Sequence, residues 1–185
     1  MKTLVIHPQD RTTDYLSAIY KDIPLATVLR GEYPPKIPIK EVNELIESHD
    51  RIIMLGHGCP LGLFSMGLFK NSGGLIINPD TADLLREKTD NIYIWCHANE
   101  YVEKNGLKGF YSGMFISEVG EAQYEGFRNT KQEEVTKSNY AFAHILGAYI
   151  DKDAKTIQEK VTKEYGLLSE TSDVVSYNNA RLKVL

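Results

Sequence analysis

Two side chains in this sequence stand where they could do chemistry together. His57 follows the apolar run Arg51-Ile52-Ile53-Met54-Leu55-Gly56 and is itself followed by Gly58. Cys96 ends a second run, Asn91-Ile92-Tyr93-Ile94-Trp95. Both runs are short, apolar and bounded by turn residues, which is the pattern of a buried strand. If the two strands are parallel neighbours, imidazole and thiol meet at one edge of a sheet. A thiolate is the nucleophilic form of cysteine, and a nearby histidine can raise its population or protonate a leaving group. Gly58 carries no side chain to shield its N–H. The N–H groups of Gly58 and Cys96 are therefore the candidate donors to an oxyanion.

The elements around these runs must then bring them together. Thr3 to Ile6 reads as a first strand, ended by His7-Pro8. Tyr15, Leu16, Ile19 and Tyr20 fall on one face of a helix that opens at Thr13-Asp14 and stops at Pro24. Leu25 to Leu29 reads as a second strand, the proline-rich 33–38 as an extended linker, and Ile39 to Glu47 as a helix. Strand, helix, strand, helix, strand in that order implies a parallel sheet with helices on its faces. Ligands bind such sheets at the carboxyl ends of the strands, where His57 and Cys96 both sit.

Beyond His57, the glycine-rich interval from Cys59 to Gly74 reads as a loop over the same edge. Leu75 to Asn78 suggests a short extra strand, and Pro79 to Arg86 a helix with an acidic start. After Cys96, a short helix over Asn99 to Lys104 closes at Asn105-Gly106, with Asn99 as its expected cap. Phe110 to Ser117 reads as a strand, and Glu133 to Ile150 and Asp153 to Tyr165 as helices. The last residues, 173–185, carry no clear pattern. The expected fold is a single three-layer α/β domain over residues 1–185 with a mostly parallel sheet. Its core spans about 1–120 and a helical C-terminal extension about 130–185.

Composition narrows the class. The chain has 185 residues, 42% hydrophobic and 25% charged, with a formal net charge of -4. These are ordinary values for a globular domain. No Lys/Arg cluster marks a nucleic-acid surface, so no nucleic-acid partner is expected. No stretch approaches the roughly 18 apolar residues of a membrane helix. The start, Met1 to Pro8, lacks the apolar length of a signal peptide. A cytoplasmic location without membrane contact is the expectation. The two cysteines, Cys59 and Cys96, suit a reducing compartment.

The pattern resembles the caspase-like cysteine peptidases, the clan of caspases, gingipains and clostripain-type enzymes. The residues that carry it are Met54-Leu55-Gly56-His57-Gly58 and Ile92-Tyr93-Ile94-Trp95-Cys96, over roughly residues 1–120. The resemblance implies a histidine after the third main strand, a cysteine after the fourth, and a specificity pocket near the next strand, at Phe110 to Ser117. It implies a peptide or protein substrate and no cofactor. Two departures stand out. Trp95 occupies the position before the cysteine, which is often small in the clan. The caspase Gln-Ala-Cys signature is replaced by Ile94-Trp95-Cys96. The implied relative is a divergent bacterial-type member.

For specificity, Ser117, Glu118 and Glu121 follow the strand after Cys96, and the two acids could favour a basic substrate side chain. The same acids also suit the first turn of a helix. Two other functions compete with the peptidase. One is a catalytically inactive or small-molecule-binding α/β module. No G-x-G-x-x-G or phosphate loop supports a nucleotide version of it. The other is a zinc site from His57, Cys59, Cys96 and His97, which adjacent-residue spacing disfavours. Asn99 and Glu100 lie just after the cysteine, where they could orient His57 or line the site. His7 and His144 have no evident sequence partners and read as structural.

Overall fold

A computed structural model describes all of residues 1–185. Its strands and helices run in the order β1 (Thr3–Ile6), a 3-10 helix (Asp14–Ile19), β2 (Thr27–Leu29), α1 (Ile39–Ser48) and β3 (Arg51–Leu55). Three short strands follow: β4 (Gly58–Cys59), β5 (Gly62–Phe64) and β6 (Leu75–Ile77). Then come α2 (Ala82–Leu85), β7 (Ile92–Ile94), α3 (Ala98–Asn105) and β8 (Phe110–Ser112). The chain ends with α4 (Val119–Tyr124), α5 (Gln132–Ala148), α6 (Ala154–Gly166), α7 (Asp173–Asn179) and β9 (Leu182–Val184).

The main sheet has the order β2-β1-β3-β7-β8-β9, parallel throughout except for β9. Every residue of β1, β3, β7 and β8 is buried. Continuous apolar runs are what a parallel sheet covered on both faces requires. Alternation divides those side chains between two layers. Leu4, Ile6, Ile52, Met54, Tyr93 and Trp95 join the core under α1, α2 and α3. Val5, Ile53, Leu55, Ile92, Ile94 and Phe110 join the core under α5 and α6. The molecule is a three-layer α/β sandwich. No helix is long and apolar enough to cross a membrane.

Several elements differ from their sequence pattern for local reasons. The 13–20 segment is a tight 3-10 helix, seated on α5 where Gly147 leaves room: a Cβ there would lie 2.8 Å from the Ala18 carbonyl oxygen. The interval from Cys59 to Gly74 is not one open loop. It contributes to the antiparallel sheet β4-β5-β6, whose strands are too short to show a period. The strand at Phe110 ends at Ser112 rather than Ser117, with the Gly113 N–H making one last ladder bond to the Arg181 carbonyl (2.9 Å). The unassigned tail forms α7 and the edge strand β9. The C-terminal helices are no appendage, since Phe142, Leu146, Ile157 and Val161 build one face of the sandwich. The start of β3 is anchored by buried Arg51, whose guanidinium donates to the carbonyls of Asp90 (2.8 Å), Lys152 (3.2 Å) and Ile150.

His7, at the end of β1, is fully buried. Its Nδ1 lies 3.0 Å from the Tyr20 hydroxyl and 3.4 Å from Arg30, while Nε2 has no partner. Burial, and then the charge of Arg30, lower its pKa from 6.5 to about 4. Between those values the unfolded chain binds a proton that the folded chain refuses. Stability should therefore fall as pH drops through that window, by at most about 3 kcal/mol. His7→Gln should flatten the fall. Urea midpoints at pH 7 and pH 4.5 check this; an equal loss in both proteins would show that His7 is not its source.

Candidate active site

His57 leaves β3 and Cys96 leaves β7, and the two strands are parallel neighbours, with Met54 paired to Tyr93 and Leu55 to Ile94. The Gly56 N–H donates to the Ile94 carbonyl (3.0 Å), which carries the pairing to the strand ends. By alternation His57 and Cys96 both lean to the α5 side of the sheet. There they line one narrow crevice together with Tyr15, Phe115 and Ser117. Its free volume is about 10 Å³, barely room for one water.

The imidazole is oriented from β1. Thr12 Oγ1 lies 2.6 Å from His57 Nε2 and 2.5 Å from Asp10 Oδ1. The Thr12 hydroxyl proton is committed to the carboxylate, so its oxygen accepts from a His57 Nε2–H. Asp10 itself is 3.5 Å from the same nitrogen. Desolvation opposes ionisation of Asp10. The hydrogen bonds from Thr12 and the nearby His57 outweigh it and hold the carboxyl below its ordinary range. Nδ1 makes no hydrogen bond within the chain and is the nitrogen left to exchange a proton. Sequence reasoning missed Asp10 and Thr12. The available signal was position: polar residues just after β1 share the carboxyl edge with those after β3.

The thiol faces a closed wall. Cys96 Sγ donates weakly to the Phe115 carbonyl (3.5 Å) and lies 3.9 Å from Glu121 Oε1. Burial, and then the Glu121 charge, push the thiol up to about 12. At rest it is a thiol and not a thiolate. The Cys96 N–H has no hydrogen-bond partner in the chain. The Phe64 N–H donates to the His57 carbonyl (2.8 Å), so the next pair, Gly58 with Leu63, is a non-hydrogen-bonded one. The Gly58 N–H therefore points away from β5. Both expected oxyanion donors are unclaimed by their neighbours.

The residues after the next strand divide. Glu121 does not stand free in a pocket. Its Oε2 accepts from the Ser117 N–H (2.7 Å), the Ser117 hydroxyl (3.0 Å) and the Glu118 N–H (3.0 Å), capping α4. Glu118 is exposed and lines a separate polar groove of about 490 Å³ with Arg11, Tyr15, Ser117 and Asn139. Tyr15 and Ser117 border both spaces.

The chain matches no known protein family and no curated protein.

The four residues weighed as zinc ligands do not converge. No group of three or more His, Cys, Asp or Glu side chains is placed to hold a metal ion. His97 turns away in the left-handed region (φ 67°) and pairs with Glu100 (3.0 Å). It also occupies the cap position of α3 expected for Asn99, without a side-chain capping bond. The Cys59 carbonyl accepts from Trp95 Nε1 (3.2 Å). Trp95 explains Gly58 as well: a Cβ at Gly58 would lie 2.3 Å from the indole and 2.6 Å from the Gly62 carbonyl. Gly58→Ala should destabilise the protein by about 1–3 kcal/mol. Fluorescence of Trp95, the only tryptophan, followed through urea unfolding measures the loss. An unchanged midpoint would mean that the indole yields freely.

Proposed function

We propose that the protein is a cysteine-type hydrolase of peptide bonds, with Cys96 as nucleophile and His57 as its base and acid. The observation that carries this reading is the orientation of His57. Its Nε2–H is tied to Thr12 and Asp10, and its ring lines the crevice that also holds the thiol. Cys96 Sγ attacks the substrate carbonyl as its proton passes to His57 Nδ1. The carbonyl electron pair moves to oxygen, and the oxyanion is met by the N–H groups of Gly58 and Cys96. When the tetrahedral adduct collapses, His57 returns the proton to the leaving amine. Water activated by the same imidazole then hydrolyses the thioester. Because burial holds Sγ as a thiol, proton transfer has to accompany attack rather than precede it.

The partner is a peptide or protein chain, and no cofactor enters these steps. Glu118 in the groove favours a basic substrate side chain, with Ser117 beside it. The unpaired cysteines suit a cytoplasmic setting. The strand order supports the caspase-like resemblance: His57 follows the third strand of the main sheet in chain order, Cys96 the fourth, and Ser117 lies beyond the fifth.

Fluorogenic peptides test the reading. Cys96→Ala should abolish cleavage, and His57→Ala should lower kcat/KM by about 10²–10⁴-fold. Thr12→Val and Asp10→Asn should lower kcat more than KM, since they touch the orientation of the imidazole and not the substrate. Cleavage that survives Cys96→Ala would sink the proposal. The buried thiol and the closed crevice favour one second reading, a catalytically idle or small-molecule-binding module. That reading predicts no peptide cleavage at all and a small molecule retained in native mass spectrometry.

A further inference from the structure

We propose that Tyr15 is a gate between the 490 Å³ groove and the thiol, and that a peptide seated in the groove reaches Cys96 only when the phenol swings aside. The inference rests on the peptidase reading for the identity of the ligand, but the gate itself does not. Tyr15 borders both the groove and the crevice. It lines the crevice together with Cys96 and the groove together with Glu118.

The other walls of the crevice are fastened. Ile116, between the lining residues Phe115 and Ser117, is gripped by Asn178 through both its N–H (2.7 Å) and its carbonyl (3.0 Å). The Ser117 carbonyl accepts from Asn139 (2.8 Å), and the Ser117 N–H donates to Glu121 (2.7 Å). His57 is held by Thr12 (2.6 Å). A stretch bonded at successive residues moves as a unit with its helices, so it makes a poor door.

Tyr15 lacks such ties. Its hydroxyl makes no hydrogen bond, so apolar packing alone holds the ring, against the core under α5 and α6 and, tilted, against Tyr140, centroids 6.3 Å apart and planes at 58°. Tyr140 is itself half exposed. The 3-10 helix that carries Tyr15 has no side-chain bond at its N-terminal cap, and 3-10 hydrogen bonds are weaker than α-helical ones. Rotation of one side chain would join the groove of about 490 Å³ to the crevice of about 10 Å³. Binding energy from the groove could then be used to uncover the nucleophile.

Alkylation of the purified full chain by iodoacetamide tests this, with each cysteine followed by peptide mapping. Cys59 lies outside the crevice and serves as the internal control. In the wild type Cys96 should react more slowly than Cys59. Tyr15→Ala should raise the Cys96 rate at least tenfold and leave Cys59 unchanged. Tyr15→Phe, which keeps the ring, should stay near wild type. A joint rise at both cysteines would mean that Tyr15→Ala has unfolded the protein. The milder Tyr15→Val then carries the same prediction at smaller amplitude. A Cys96 rate within twofold of wild type in folded Tyr15→Ala or Tyr15→Val overturns the gate. A peptidyl chloromethyl ketone should gain at least as much as iodoacetamide; a gain for iodoacetamide alone would show that the groove does not lead to the thiol. Peptides left uncleaved while Cys96 is unmasked would reject the peptidase and keep the gate.

Discussion

The face of Trp95 against Gly58 sets the geometry on which the rest of the site depends. β3 and β7 are already joined as parallel neighbours, but a parallel ladder alone does not say where the chains go after their last pair. The indole is buried, bonds the Cys59 carbonyl and leaves no space for a Cβ at Gly58. It therefore locks the turn after His57 to the turn before Cys96. A small residue before the cysteine would leave that turn unsupported. The tryptophan that departs from the caspase-like pattern braces the turn after His57 from the sheet face opposite the thiol.

Around this lock the two faces of the sheet have separate duties. One core, under α1, α2 and α3, holds the indole. The other, under α5 and α6, faces the thiol, the imidazole and Tyr15. The polar residues that matter most are amides and acids fixing backbone rather than groups offered to a ligand. Asn178 and Asn139 hold 116 and 117, and Glu121 caps 117 and 118. A buried polar group that satisfies main-chain donors and acceptors stiffens what it touches. The wall beside Cys96 is stiffened for that reason.

The sheet and the two reactive ends were legible in the sequence because long apolar runs and helix periods survive without context. Thr3 to Ile6, Arg51 to Leu55 and Ile92 to Ile94 fall where the pattern puts them. Of the small sheet only β6 was legible, as the apolar run Leu75 to Asn78; β4 and β5 were not, since elements of two or three residues have no period to read. Asp10 and Thr12 sit in a polar loop that looks like any other until β1 is known to lie beside β3. Glu121 had two readings, an acid for a basic substrate or a helix-start acid, and its carboxylate takes the second by capping α4. Asn139 and Asn178 act across more than twenty residues of sequence, and no local pattern announces that.

The 3-10 helix near the start of the chain rests on α5, far along it, through the gap that Gly147 leaves. Until α5 is made, Tyr15 has no seat, and Asn139 and Asn178 are not there to brace the wall over Cys96. A chain still emerging from the ribosome thus carries a thiol and an imidazole but no assembled crevice. The crevice is therefore a late-assembled part of the fold, since its walls and their braces come from both ends of the chain. Pairings this distant in sequence also make for slow closure.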